Sequence, residues 1–237
     1  MQRLTCDSDR VRTNLAVQNA LPDRSLRDDN LRNTRACEHA PYHPRSEATL
    51  MSWYRRWRQE GGVYFFTVVT YGRRPILVTP DARPLLHAAI ETTQAERPFQ
   101  LHAVVLLPEH LHCLWILPPD DSDFATRWRL IKTRFTQAFL DTGYREPARN
   151  PSRRKRQEHA IWQRRFGEHL IRGEDDWKRH LDYIHYNPVK HGLAKAPNDW
   201  EYSSFQKFVK LGEYDAKWGH EPPDTIESWE PPVGGDE

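Results

Sequence analysis

The run Phe99-Gln100-Leu101-His102-Ala103-Val104-Val105-Leu106-Leu107-Pro108-Glu109-His110-Leu111-His112-Cys113-Leu114-Trp115-Ile116-Leu117 holds two apolar segments, 99–107 and 111–117, separated by Pro108-Glu109-His110. Each has strand length and the break is short and proline-punctuated, which predicts two antiparallel strands joined by a tight connection. Upstream, residues 63–71 are dense in β-branched and aromatic side chains and are closed by Gly72, so they predict a buried strand. Between these strands a helix is expected, with Asp81 placed to cap it, Pro84 in its first turn and Leu85, Leu86, Ala89 and Ile90 as its apolar stripe. Downstream, Trp128, Ile131, Phe135 and Phe139 recur at i, i+3, i+7 and i+11, predicting an amphipathic basic helix over 123–141. A polar, Arg-rich linker over 144–159, a fourth strand over 161–171 and a last helix from 174 to about 186, stopped near Asn187-Pro188, complete the chain. The class is α+β: a ferredoxin-like βαββαβ antiparallel sheet with helices on one face, plus a C-terminal helix.

A chain of 237 residues with 38% hydrophobic and 11% aromatic content supports one sizeable core with appendages. Its apolar runs are far shorter than the ~20 residues of a bilayer span, so no membrane partner is expected. The first residues lack a secretory pattern, and Cys6, Cys37 and Cys113 are odd in number with no C-x-x-C pair. A cytoplasmic protein is expected. Residues 1–50 carry eight arginines and seven acids with no sustained period, and read as a disordered leader or a mis-called start ahead of Met51. The folded domain is expected over 51–212. Residues 207–237 hold three lysines against eight acids, so 213–237 read as a loose, acidic, Pro-rich tail. The net charge of +2 conceals a basic band at 126–172, with thirteen Lys and Arg against four acids, suited to phosphate.

On a strand, residues i and i+2 share a face about 7 Å apart, so His110 and His112 can present two imidazoles to one divalent metal. An H-x-H also arises by chance in a chain with twelve histidines. His102 has no spaced partner and reads as structural; Cys113 points away from the pair and reads as core. Tyr183 and Asn187 stand at i and i+4, hence on one helical face, where a phenol and a carboxamide oxygen can reach a common centre. A nearby cation makes the phenolate accessible as a nucleophile. Tyr186, three residues on, is the alternative.

Six stretches together resemble the REP-associated tyrosine transposases, of the single-tyrosine HUH-type nuclease group. They are Tyr64-Phe65-Phe66-Thr67-Val68-Val69-Thr70 with Arg73-Arg74-Pro75-Ile76-Leu77; Leu107-Pro108-Glu109-His110-Leu111-His112; Ile131-Lys132-Thr133-Arg134-Phe135; Ile161-Trp162-Gln163-Arg164-Arg165-Phe166; Tyr183-Ile184-His185-Tyr186-Asn187-Pro188-Val189-Lys190-His191-Gly192-Leu193; and Trp200-Glu201-Tyr202-Ser203-Ser204-Phe205. The resemblance spans roughly 51–212 and implies a metal-dependent single-stranded DNA endonuclease and strand transferase acting in transposition or repeat dispersal. It implies that His110, His112 and Asn187 hold Mg²⁺ or Mn²⁺, and that Tyr183, matching the family's Y-I-x-x-N-P block, forms a 5′-phosphotyrosine link and frees a 3′-hydroxyl. It further implies single-stranded or hairpin DNA of repetitive extragenic palindromes as partner, a monomer or homodimer, and a nucleoid-associated location. The basic residues expected on DNA are Arg127, Arg129, Lys132, Arg134, Arg153, Arg154, Lys155, Arg156, Arg164 and Arg165, with Trp128, Phe135, Trp162 and Phe166 interspersed for stacking, though some of these aromatics must be core. A non-catalytic hairpin-binding protein and a metal-dependent RNA nuclease are the alternatives.

Overall fold

β1 (Val63–Val69) is buried at all seven positions, as a strand covered on both faces must be. The computed structural model describes residues 58–226, which lie in a unit spanning Trp57–Glu237; the expected leader, the alternative start at Met51 and the end of the acidic tail fall outside them. β2 (Gln100–Leu106) and β3 (His110–Ile116) form the expected hairpin, and β4 (Gly167–Leu170) pairs on the far side of β1. The sheet order is β2-β3-β1-β4, antiparallel throughout. This is the split βαβ arrangement of the ferredoxin-like layer.

Register assigns the two faces. Opposite residues of an antiparallel pair share a face, and Tyr64, Phe66 and Val68 stand opposite Trp115, Cys113 and Leu111. All six belong to the main core under α1 (Ala82–Glu96) and α2 (Phe124–Asp141). There Trp115 stacks on Trp128 with centroids 4.4 Å apart, and Phe66 meets Trp115, Phe124, Trp128 and Phe166. Each such pair contributes about 0.5–1.5 kcal/mol beyond area burial. The other face carries Phe65, Thr67, His110, His112 and Leu114 and is covered by α4 (Glu174–Lys190). His102 sits at the irregularity between Leu101 and Ala103 and packs between Trp177 of α4 and Phe208 of α5 (Phe205–Lys210), the structural role its lone position predicts.

Several expectations are corrected. Asp81 makes no side-chain cap: its backbone is already α-helical, and the Ala82 N–H donates to Thr79 Oγ1 at 3.3 Å. The linker contains α3 (Pro151–Lys155), capped by Asn150, whose Oδ1 accepts from Arg153 N–H at 2.8 Å. The fourth strand is shorter than 161–171: its ladder runs over Gly167–Leu170, while Trp162 keeps only an isolated bridge to Thr70, with the carbonyls of Trp162 and Gln163 bonded to the Arg153 and Lys132 side chains. Pro188 does not stop α4. Near a helix end it removes one backbone bond, and the last carbonyls are closed by His191, Gly192 and Leu193 N–H groups on Asn187, Val189 and Pro188. The acidic segment is anchored as far as it is described: Tyr214 packs on His185, Phe205 and Trp218, Thr225 donates to Asp182 at 2.8 Å, and Ile226 is buried. No helix among the described residues is long and apolar enough to cross a membrane.

Candidate active site

The Pro108 connection is closed by Leu107 N–H on the His110 carbonyl at 2.8 Å, so the H-x-H pair starts a strand held at both ends. The His110 Nδ1–H donates to Glu109 Oε1 at 3.0 Å, and His112 Nδ1 hydrogen-bonds Thr67 Oγ1 at 2.9 Å. Fixing Nδ1 on both rings leaves Nε2 as the outward atom of each, the usual arrangement of a metal-ligating histidine. The rings lie 4.8 Å apart by centroid, and Phe65 stacks against His112 at 5.3 Å. Burial pushes the His110 pKa down to about 4 against the pull of Glu109. His112 falls well below the imidazole range, through burial first and the positive charge of His110, His191 and Lys190 next. Both are therefore neutral at pH 7, the form that coordinates metals.

α4 brings the second half of the site. The Tyr183 ring sits edge-on to His112 at 5.2 Å, and Lys190 Nζ lies 5.0 Å from the tyrosine centroid. Asn187, one turn after Tyr183, is fully buried, and its Oδ1 and Nδ2 have no hydrogen-bond partner; the same is true of His112 Nε2. A buried polar group left unmade costs about 1–3 kcal/mol, so this carboxamide and imidazole fit a ligand that accepts their lone pairs. Because α4 runs through Pro188, Asn187 stays on the Tyr183 face. The Tyr186 ring faces Trp218 of the C-terminal segment instead, at 6.5 Å.

The basic band divides on burial. Arg127 is 1% exposed and Arg153 2%. The Arg127 guanidinium donates to the carbonyls of Arg97, Pro98 and Asp123 and to Asp121, and Arg153 to those of His159 and Trp162 while lying over the Tyr71 ring at 4.3 Å. Neither is a surface cation, against expectation. Lys132, Arg134 and Arg164 are half-buried and bonded to Gln163, to Thr93 and Glu96, and to Glu158 and Ser152. Arg129, Arg154, Lys155, Arg156 and Arg165 are exposed. Trp128, Phe135, Trp162 and Phe166 all belong to the core, so none is offered to a base.

Sequence reasoning missed Thr67, Glu109 and Phe65, which orient the histidines, and His191, whose ring lies 5.2 Å from His110. It also missed a second donor set able to hold a metal, His169, Asp176 and His180, whose ligand atoms all lie within 4.8 Å of one another. The helical Asp-x-x-x-His spacing was the signal for it.

No protein-family model matches this chain. A REP-associated tyrosine transposase of Escherichia coli (strain K12) is 44% identical over 168 residues, covering 71% of this chain and 91% of that one. A Haemophilus influenzae protein given the same family name is 44% identical over 172 residues, covering 73% of this chain and 96% of that one. A solved REP-associated tyrosine transposase bound to a REP hairpin superposes with a TM-score of 0.62 at 40% identity, covering 78% of this chain and all of the other. With relatives this similar matched almost end to end, the chain belongs to the REP-associated tyrosine transposases.

Proposed function

We propose that this chain cuts and rejoins single-stranded DNA at REP-type hairpins through a tyrosine–phosphate intermediate. The observation that carries the reading is Tyr183 of α4 lying edge-on to His112 of β3, with the buried, partnerless Asn187 carboxamide one helical turn after it. The hairpin complex of the related transposase supports the choice of substrate.

In this reading Tyr183 Oη attacks the scissile phosphorus in line. The new O–P bond replaces the bond to the 3′-oxygen, which leaves as a 3′-hydroxyl, while the 5′-phosphate stays on the tyrosine. The link conserves the bond energy, so a 3′-hydroxyl can reverse the attack and join strands without a nucleotide cofactor. His110 Nε2, His112 Nε2 and Asn187 Oδ1 are the atoms that would hold Mg²⁺ or Mn²⁺, which when bound supplies Lewis-acid polarisation of a non-bridging phosphate oxygen. Glu109 and Thr67 fix the two rings, Phe65 stacks against His112, and the Lys190 ammonium stands 5.0 Å from the Tyr183 ring centre. Arg129, Arg154, Lys155, Arg156 and Arg165 are the cations of the band exposed enough to follow a phosphate backbone.

Incubating the protein and Mn²⁺ with hairpin oligonucleotides, then resolving the products under denaturing conditions, tests the reading. A covalent protein–DNA adduct is expected, lost in Tyr183→Phe and kept in Tyr186→Phe. An adduct that follows Tyr186 refutes the assignment; shifted but uncut DNA, or RNA cleavage without an adduct, replaces the reading altogether.

A further inference from the structure

Edge strand β4 and the first two turns of α4 share a cluster that the proposed reaction does not use. His169 Nε2–H donates to Asp176 Oδ2 at 2.9 Å, and His180 Nδ1–H donates to the Asp176 carbonyl at 2.8 Å while lying 3.1 Å from Asp176 Oδ1. The Arg172 N–H also donates to Asp176 Oδ2, at 2.8 Å. The two imidazoles stack at 4.6 Å with planes 17° apart. The His180 side chain is fully buried, Asp176 is 19% exposed and His169 32%, so the cluster has a closed floor and one side open to solvent. All three residues sit on regular structure, with Asp176 and His180 at i, i+4 on one helix face.

We propose that His169, Asp176 and His180 form a second metal site, of zinc type, distinct from the His110/His112 pair. Two imidazoles and one carboxylate, with a position left for water, is a donor set that Zn²⁺ takes tetrahedrally. Bond lengths of about 2.0–2.2 Å put tetrahedral donors about 3.4 Å apart, so the present spread of up to 4.8 Å needs only side-chain rotation to close. Ligation through His180 Nδ1 exchanges its bond to the Asp176 carbonyl for the ion and moves the ring proton to the buried Nε2. Phe65 touches the His180 ring at 4.8 Å and the Tyr183 ring at 6.1 Å, so an ion here would pin the sheet edge to the helix one turn before Tyr183. Only this last consequence rests on the catalytic reading; the metal assignment does not.

The test uses the full-length His110→Ala/His112→Ala protein, stripped with chelator, dialysed against Zn²⁺, checked for fold by circular dichroism and assayed for bound metal by mass spectrometry. One zinc per chain is expected, with a melting temperature about 5–10 °C higher at a hundredfold excess over Kd. Adding His169→Ala should remove both effects, and Asp176→Asn, which retains a hydrogen-bond acceptor, should weaken zinc retention at least tenfold. A folded double variant that binds no zinc overturns the proposal and leaves a metal-free hydrogen-bonded triad; zinc retention indifferent to His169→Ala assigns the ion to other histidines and overturns it equally. Should the double variant not fold, Co²⁺ in the unaltered chain decides, since tetrahedral visible absorption must appear and must vanish in His169→Ala. Nicking that persists unchanged without this metal overturns the coupling of the cluster to Tyr183 and leaves the catalytic reading intact.

Discussion

Replacing Asn187 with leucine should raise stability and abolish function at once. The substitution nearly conserves side-chain shape but removes two buried amide atoms that have no partner. Each such atom costs about 1–3 kcal/mol. Allowing for imperfect leucine packing, the metal-free variant should gain about 1–3 kcal/mol, which at about 2–4 °C per kcal/mol for a domain of this size raises its melting temperature by about 3–8 °C. Metal reverses the ranking. A hundredfold excess of Mn²⁺ over Kd should stabilise the unaltered protein by about 2.7 kcal/mol, whereas the variant keeps two of the three proposed ligands and should lose most of that gain. Thermal unfolding with and without Mn²⁺, alongside the hairpin nicking assay, reads both effects. A metal-free variant that melts below the parent, or an equal Mn²⁺ shift in both proteins, would refute the reasoning, because Asn187 would then be satisfied within the fold and not reserved for a ligand.

Three further outcomes follow from the same geometry. Replacing Arg154, Lys155 and Arg156 with alanine should lower the log–log salt slope of hairpin binding by about 2–3 without changing the melting temperature, while Arg153→Ala should cost about 2–4 kcal/mol of stability, as it loses its bonds to the His159 and Trp162 carbonyls; an exchange of these two phenotypes, read by titration and chemical denaturation, contradicts the burial argument. Burial holds His102 at about 4 and His185 at about 3, so both are neutral folded and unfolded above pH 6.5, and below it the unfolded chain takes up protons the folded one refuses. Stability should then fall by about 1.4 kcal/mol per pH unit per group, about 2 kcal/mol each by pH 5, and His185→Leu should remove its share of the loss in urea titrations at pH 7 and 5. Finally, Tyr214→Phe should destabilise by about 1.5–3 kcal/mol, since Tyr214 and Thr225 supply two hydroxyl donors to the buried Asp182 carboxylate; a loss under about 0.5 kcal/mol in urea would show that this contact does not anchor the C-terminal segment.

The order of strands and helices was legible because it is written locally: continuous apolar, β-branched and aromatic runs of strand length in 63–71, 99–107 and 111–117, and a helical stripe in Phe124–Asp141. The two halves of the site were legible for the same reason, an H-x-H on one strand and a Tyr-x-x-x-Asn on one helix. The burial of the charges was not. Arg127 is satisfied by the carbonyls of Arg97 and Pro98, about thirty positions earlier, and only the packing of α1 against α2 brings these together; a charge count therefore reads a buried anchor as a surface cation. Which of the band's aromatics are core was hidden in the same way, since Trp162 and Phe166 are placed only by their contacts with Phe135 and Phe66. Pro188 shows the converse limit. The general rule that a helix stops before proline failed because the lost bond lies in the last turn, where three following N–H groups close the helix, and that exception is what keeps Asn187 beside Tyr183.

The two faces of the sheet explain why the site is where it is. The face under α1 and α2 is filled by stacked and edge-on aromatics. Of the thirteen buried polar or charged residues among those described, seven come from β1, β3 and α4: Thr67, His110, His112, His180, Asp182, His185 and Asn187. Such groups destabilise a core unless partnered, and on this face several are partnered only in part: Asn187 by neither amide atom, His112 and His185 through one ring nitrogen each. A hydrocarbon face that carries the fold's stability therefore tolerates a second face held ready for ligands, which is the pattern expected where local rules of packing yield to chemistry.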